Sequence, residues 1–144
     1  MTTTPPDSLT AQGDSRATAP TLNVLLVEDS PVLVERLAEL LLSCPGVVLS
    51  AIVDNEAQAI AEIKSGAFDV VVLDLHLRQG TGFGVLRATR LLKGPPAVVV
   101  LTNYDLVEYR DAATALGARA FLDKAYDMNR LPDVLRQLMQ PDSH

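Results

Sequence analysis

The chain has 144 residues, 48% of them apolar and 21% charged, with a formal net charge of −6 and a pI near 4.7. That length suits one domain with a well-buried core, and the acidic balance argues against nucleic-acid backbones and anionic membranes as direct partners. A single cysteine, Cys44, excludes an internal disulfide, and no apolar run approaches the length of a membrane span.

Residues 1 to 20, MTTTPPDSLTAQGDSRATAP, are rich in Thr, Pro, Ser and Asp and poor in large apolar side chains. Such a composition does not offset the entropy of ordering, so a flexible tail is predicted there. It lacks the basic start and apolar stretch of a secretory signal, and a cytoplasmic location is expected. The folded part is expected over residues 21 to 140, as one domain with no output domain attached.

From Leu22 onward, short apolar runs alternate with helical patterns. LNVLLV (22–27) reads as the first strand. Ser30-Pro31 then caps and opens a helix whose apolar stripe is Leu33, Leu37, Leu40 and Leu41. Cys44-Pro45-Gly46 ends it, and Cys44 is read as a packed or half-exposed thiol. VVLSAIV (47–53) is the second strand, followed by a helix over Asn55 to Lys64 that stops at Gly66. DVVVLDL (69–75) is the third strand, and its helix covers Phe83 to Leu92 before Gly94-Pro95-Pro96. AVVVL (97–101) precedes a helix over Asp105 to Leu116, stopped by Gly117. RAFL (119–122) is the fifth strand. Pro132 cannot sit deep in a helix, so a turn at 127–130 and a helix over Leu131 to Met139 are expected. Gln79-Gly80-Thr81-Gly82 follows the wrong strand for a phosphate-binding fingerprint and reads as a flexible turn.

Consecutive apolar positions mark strands buried on both faces. Five such strands, each followed by a helix, predict an α/β doubly wound sheet. In such sheets the ligand site lies outside the carboxyl ends of the strands. There the first strand ends in Glu28-Asp29, the third in Asp74 and the fourth in Thr102, and Lys124 follows the fifth. Each residue alone has an ordinary reading, as a helix cap or a solvated charge. Together, in order and each at its own strand end, they point to a site. Three converging carboxylates repel one another, and an oxygen-rich set with room for water suits Mg²⁺. Asp74 then becomes a candidate nucleophile toward phosphorus. The Lys124 ammonium and the Thr102 hydroxyl are candidates to hold phosphoryl oxygens.

VLLVEDSP (24–31), VVVLDLHLRQGTGFGVL (70–86), VVVLTNYD (98–105) and GARAFLDKAYD (117–127) resemble the receiver domain of two-component response regulators, the CheY-like family. The resemblance runs from Leu22 to Met139. It implies a flavodoxin-like sheet of order 2-1-3-4-5 with five flanking helices. It also implies that Asp74 is the phosphoacceptor, with Glu28, Asp29, Asp74 and the His76 backbone carbonyl as ligands of Mg²⁺. By the same resemblance Thr102 is the switch hydroxyl, Lys124 the salt-bridge partner and Phe121 the switch aromatic. The phosphoryl donor would be a phosphohistidine on a sensor histidine kinase or phosphotransfer protein.

The output would be a changed surface on the fourth helix, fifth strand and fifth helix, offered to a downstream protein or a second copy. No direct nucleic-acid or membrane partner is expected, and no enzymatic activity beyond self-phosphorylation and autodephosphorylation. His76 and Tyr104 would flank the site and limit water access. The family commonly has proline with a cis peptide after the lysine. Here Ala125 stands there, and a cis bond before a non-proline residue costs about 3 kcal/mol.

The other readings are a phosphorylation-independent interaction module, an FMN carrier and an aspartyl-phosphate hydrolase. Glu28-Asp29 would repel FMN phosphate, and the hydrolase needs cap elements for which this chain has no room.

Overall fold

The computed structural model describes residues 21–140; the tail expected over residues 1 to 20 lies outside the described residues. Five strands, β1 (Leu22–Val27), β2 (Val47–Val53), β3 (Val70–Leu73), β4 (Ala97–Thr102) and β5 (Ala120–Asp123), form one parallel sheet. Their order is 2-1-3-4-5, as the resemblance implies. The helices are α1 (Pro31–Leu42), α2 (Glu56–Lys64), α3 (Gly82–Arg90), α4 (Val107–Ala115) and α5 (Leu131–Met139). A 3₁₀ turn, Met128–Arg130, leads into α5 at the predicted place.

The sheet separates two apolar layers. Val24, Leu26, Val72, Val99 and Leu101 pack with Leu37 and Leu41 of α1 and Leu131 and Leu135 of α5. Leu25, Val27, Val71, Leu73 and Val100 pack with Ala59 and Ile63 of α2, Val85 and Leu86 of α3 and Ala113 of α4. The unbroken apolar runs of β1, β3 and β4 follow from this two-sided burial.

Caps fix the helix starts and shift several predicted boundaries. The Ser30 hydroxyl accepts the Leu33 N–H at 3.4 Å, with Pro31 in the first turn. Asn55 and Thr81 cap α2 and α3 in the same way, accepting from Gln58 at 2.9 Å and from Gly84 at 3.1 Å. The second helix therefore begins one residue later than expected, and the third one residue earlier. Asp105 does not cap α4; it pairs with Arg110 at 2.6 Å, and the helix begins at Val107. Every peptide bond among the described residues is trans, Lys124–Ala125 included.

β2 is an edge strand with an interrupted register. Val24 pairs with Leu49, but Leu25 pairs with Ala51, which leaves Ser50 as an extra residue. Leu49 thus packs on the α1 side and Ala51 on the α2 side. Val48 and Ile52 are left exposed.

Candidate functional site

The backbone ladder continues one step past the strands and sets the acids in place. The Glu28 N–H donates to Val53 O at 3.0 Å, and the Asp74 N–H donates to Val27 O at 3.1 Å. The tips of β1 and β3 are thereby held side by side, with Glu28, Asp29 and Asp74 at one edge. One carboxylate oxygen from each of these three residues lies within 4.8 Å of the other two.

Lys124 reaches into this group from the end of β5. Its Nζ lies 2.6 Å from Glu28 Oε1 and 3.1 Å from Asp74 Oδ2. All three groups are buried, with exposures of 7% for Lys124, 2% for Glu28 and 6% for Asp74. An ammonium shared by two buried carboxylates is stable only as a complete set, since removing one member strands charge away from water. Burial pushes the Glu28 carboxyl above its ordinary value, against the opposing pull of Lys124. Backbone amides take up further oxygens: Ser30 N–H donates to Glu28 Oε2 at 3.1 Å and His76 N–H to Asp74 Oδ1 at 3.1 Å.

The loop after β5 presents the lysine. Asp123 accepts the Ala125 N–H at 2.7 Å on Oδ1, and its own N–H donates to Asp127 Oδ2 at 3.0 Å. A proline at 125 could not make the first of these bonds, so the departure from the family pattern serves a local turn. The Lys124 N–H donates to Thr102 O at 2.9 Å, joining the tips of β4 and β5. Thr102 is fully buried, and its hydroxyl accepts the Tyr104 N–H at 3.4 Å.

The remaining expected residues sit around this centre. The His76 imidazole stacks on Tyr104 with ring centroids 3.8 Å apart and planes at 31°. Tyr109 of α4 and Phe83 of α3 extend the aromatic group, 5.8 Å apart and edge to face. Phe121 is buried in the layer on the α2 side, with the Arg110 guanidinium 4.6 Å from its ring centre.

Two residues that sequence reasoning missed organise the loop from β3 to α3. Arg78 holds Asp29: its N–H donates to Asp29 Oδ2 at 2.5 Å and its Nη2 to Asp29 O at 2.9 Å. Glu56, at the start of α2, accepts the Thr81 N–H on Oε1 at 2.9 Å, and its own N–H donates to Gln79 O at 3.1 Å. A side chain at Gly80 or Gly84 would run into the Glu56 side chain. One at Gly82 would meet the backbone of Asp74 and Leu75. The segment expected to be a flexible turn is therefore pinned along its length. The alternation Gly80, Gly82, Gly84 was the available signal of close approach; nothing local marks Arg78.

The all-oxygen donor set fits a hard divalent cation, which takes carboxylates and keeps water in its other positions. The chain matches the response regulator receiver domain over residues 24–136, and it belongs to that family. Sensory transduction protein LytT of Enterococcus faecalis is 29% identical over 116 residues, covering 81% of this chain and 47% of that protein. The chain thus spans about half the length of the curated relatives it matches.

The signal receiver domain of NarL from Mycobacterium tuberculosis aligns with a TM-score of 0.77 at 23% identity, covering 85% of this chain and 98% of that one. The receiver domain of a Pseudomonas aeruginosa sensor histidine kinase, solved with a magnesium ion in its active-site cleft, aligns at 0.72 and 23% identity. That match covers 83% of this chain and 98% of the other. These likenesses establish the fold.

Proposed function

We propose that this domain accepts a phosphoryl group on Asp74 from a phosphohistidine of a sensor histidine kinase or phosphotransfer protein. The observation that carries the reading is the buried set in which Lys124 bridges Glu28 and Asp74 beside Asp29. A structural role alone gives no reason to gather three carboxylates at a strand edge. An Asp74 carboxylate oxygen attacks phosphorus, the P–N bond to the donor imidazole breaks, and the imidazole leaves as the neutral ring after protonation.

Glu28, Asp29, Asp74 and the His76 carbonyl would hold Mg²⁺, as the magnesium-bound relative supports. When bound, the cation neutralises charge on the transferred oxygens. Lys124 already touches Asp74 and exchanges that contact for a phosphoryl oxygen. Thr102, tied to Lys124 through its carbonyl, turns its hydroxyl to another. His76 and Tyr104, two residues beyond Asp74 and Thr102 and stacked on each other, restrict water and so slow hydrolysis of the acyl phosphate. The domain then catalyses only its own phosphorylation and dephosphorylation.

The added charge, about −1.5 to −2, is read out on the face of α4, β5 and α5 by a downstream protein or a second copy. Tyr104, Leu106, Val107 and Tyr126 are exposed around that face. With a net charge of −6, the chain is assigned no direct contact with nucleic acid or membrane. Family membership supports a cytoplasmic setting, and no helix among the described residues is long and apolar enough to cross a membrane.

Incubation with acetyl phosphate and Mg²⁺, read by intact mass, is expected to add one phosphoryl group. Asp74→Asn or EDTA abolishes the gain. No gain from any phosphodonor would overturn this reading in favour of a phosphorylation-independent interaction module.

A further inference from the structure

Every carboxylate of the acidic group already has a cation within the chain. Glu28 and Asp74 share Lys124, and Asp29 is held by Arg78, whose Nε lies 3.8 Å from Oδ2 in addition to the amide and Nη2 bonds. Three negative charges thus face two positive ones before any ion arrives. The two cations differ in kind. Lys124 is buried and comes from the far end of the sheet; the Arg78 side chain is 75% exposed and rides on the loop beside its partner.

We infer that Arg78 is an internal counter-ion that competes with the divalent cation for Asp29 and so sets the metal affinity of the site. The inference rests on the phosphoacceptor reading given above. The oxygen facing the guanidinium, Asp29 Oδ2, also takes the Arg78 amide, so a cation drawing on this carboxylate meets both a positive charge and a filled lone pair. The guanidinium cannot lose its proton to make way. It must swing outward, and its exposure leaves room to do so. Arg78 is therefore a positioning residue: without metal it keeps Asp29 oriented and quiets the repulsion among the acids, and with metal it gives way.

The test separates side-chain charge from the backbone bond, since Arg78→Gln and Arg78→Ala retain the amide that holds Asp29. Mg²⁺ titration of the full chain by calorimetry at low salt is expected to show about two- to five-fold tighter binding in both variants, in keeping with a largely exposed pair. Arg78→Lys stays near wild type. The gap narrows as KCl is raised, because exposed charges are screened. In EDTA the Gln variant melts no higher than wild type, whereas its Mg²⁺-induced rise in Tm is larger. Unchanged or weaker Mg²⁺ binding in both variants would overturn the inference while leaving the phosphoacceptor reading intact. A wild-type chain that binds no Mg²⁺ and gains no phosphoryl group would overturn both.

Discussion

Burial and pairing pull the Glu28 carboxyl in opposite directions, and burial prevails, raising its pKa above the ordinary 4.5. The folded chain therefore keeps this proton to higher pH than the unfolded chain does. The stabilisation is fully present below the ordinary value and is lost as pH rises through the raised one. In EDTA, the Tm of Glu28→Gln minus that of wild type is expected to climb as pH rises from about 4.5, then level off once Glu28 has ionised. A flat difference across that range would show that Lys124 cancels the burial cost entirely. Glu28, Asp29, Asp74 and Lys124 were legible in the sequence because each breaks or follows an apolar run where a sheet of this kind places its site. Arg78 was not: its partner Asp29 lies 49 positions away, and a charged residue in a loop looks like any solvated charge.

Among the elements, the loop from β3 to α3 departs furthest from its reading in the sequence. Gln79-Gly80-Thr81-Gly82 reads as a flexible turn, yet the Glu56 side chain and the end of β3 occupy the space that side chains at Gly80, Gly82 and Gly84 would need. What decides the matter is a glutamate 25 residues from Thr81, which no local pattern discloses. Gly84→Ala is expected to lower stability by about 1–3 kcal/mol, as overpacking does. In the Glu56→Ala background the same change costs less, because the clashing carboxylate is gone; a urea-denaturation double-mutant cycle measures the coupling. Equal cost in both backgrounds would assign the strain to the backbone. Helix boundaries moved by only one or two residues where a cap, Thr81 or Leu106, lay elsewhere than the apolar pattern placed it.

At the level of the whole molecule, alternation of apolar runs with helical stripes disclosed a doubly wound sheet, while the strand order came from the resemblance. On the proposed function, a net charge of −6 with three acids at one edge leads to a native state expected to respond to divalent cations. Mg²⁺ at a hundred times its dissociation constant is expected to raise the unfolding free energy by about 2.7 kcal/mol, measured by urea denaturation. KCl of equal ionic strength does not reproduce the rise, and EDTA reverses it. A response to KCl as large as to Mg²⁺ would assign the effect to general screening.

The additional residue in β2 has a further consequence. In a regular strand Val48, Ser50 and Ile52 would share one face and give the outermost strand a continuous sticky rim. Because Ser50 breaks the rhythm, the two exposed β-branched side chains project to opposite sides. The outer backbone is left kinked, a poor template for a stray strand from a neighbouring molecule. An irregularity of one residue at the rim of the sheet thus disfavours edge-to-edge pairing between copies of the domain.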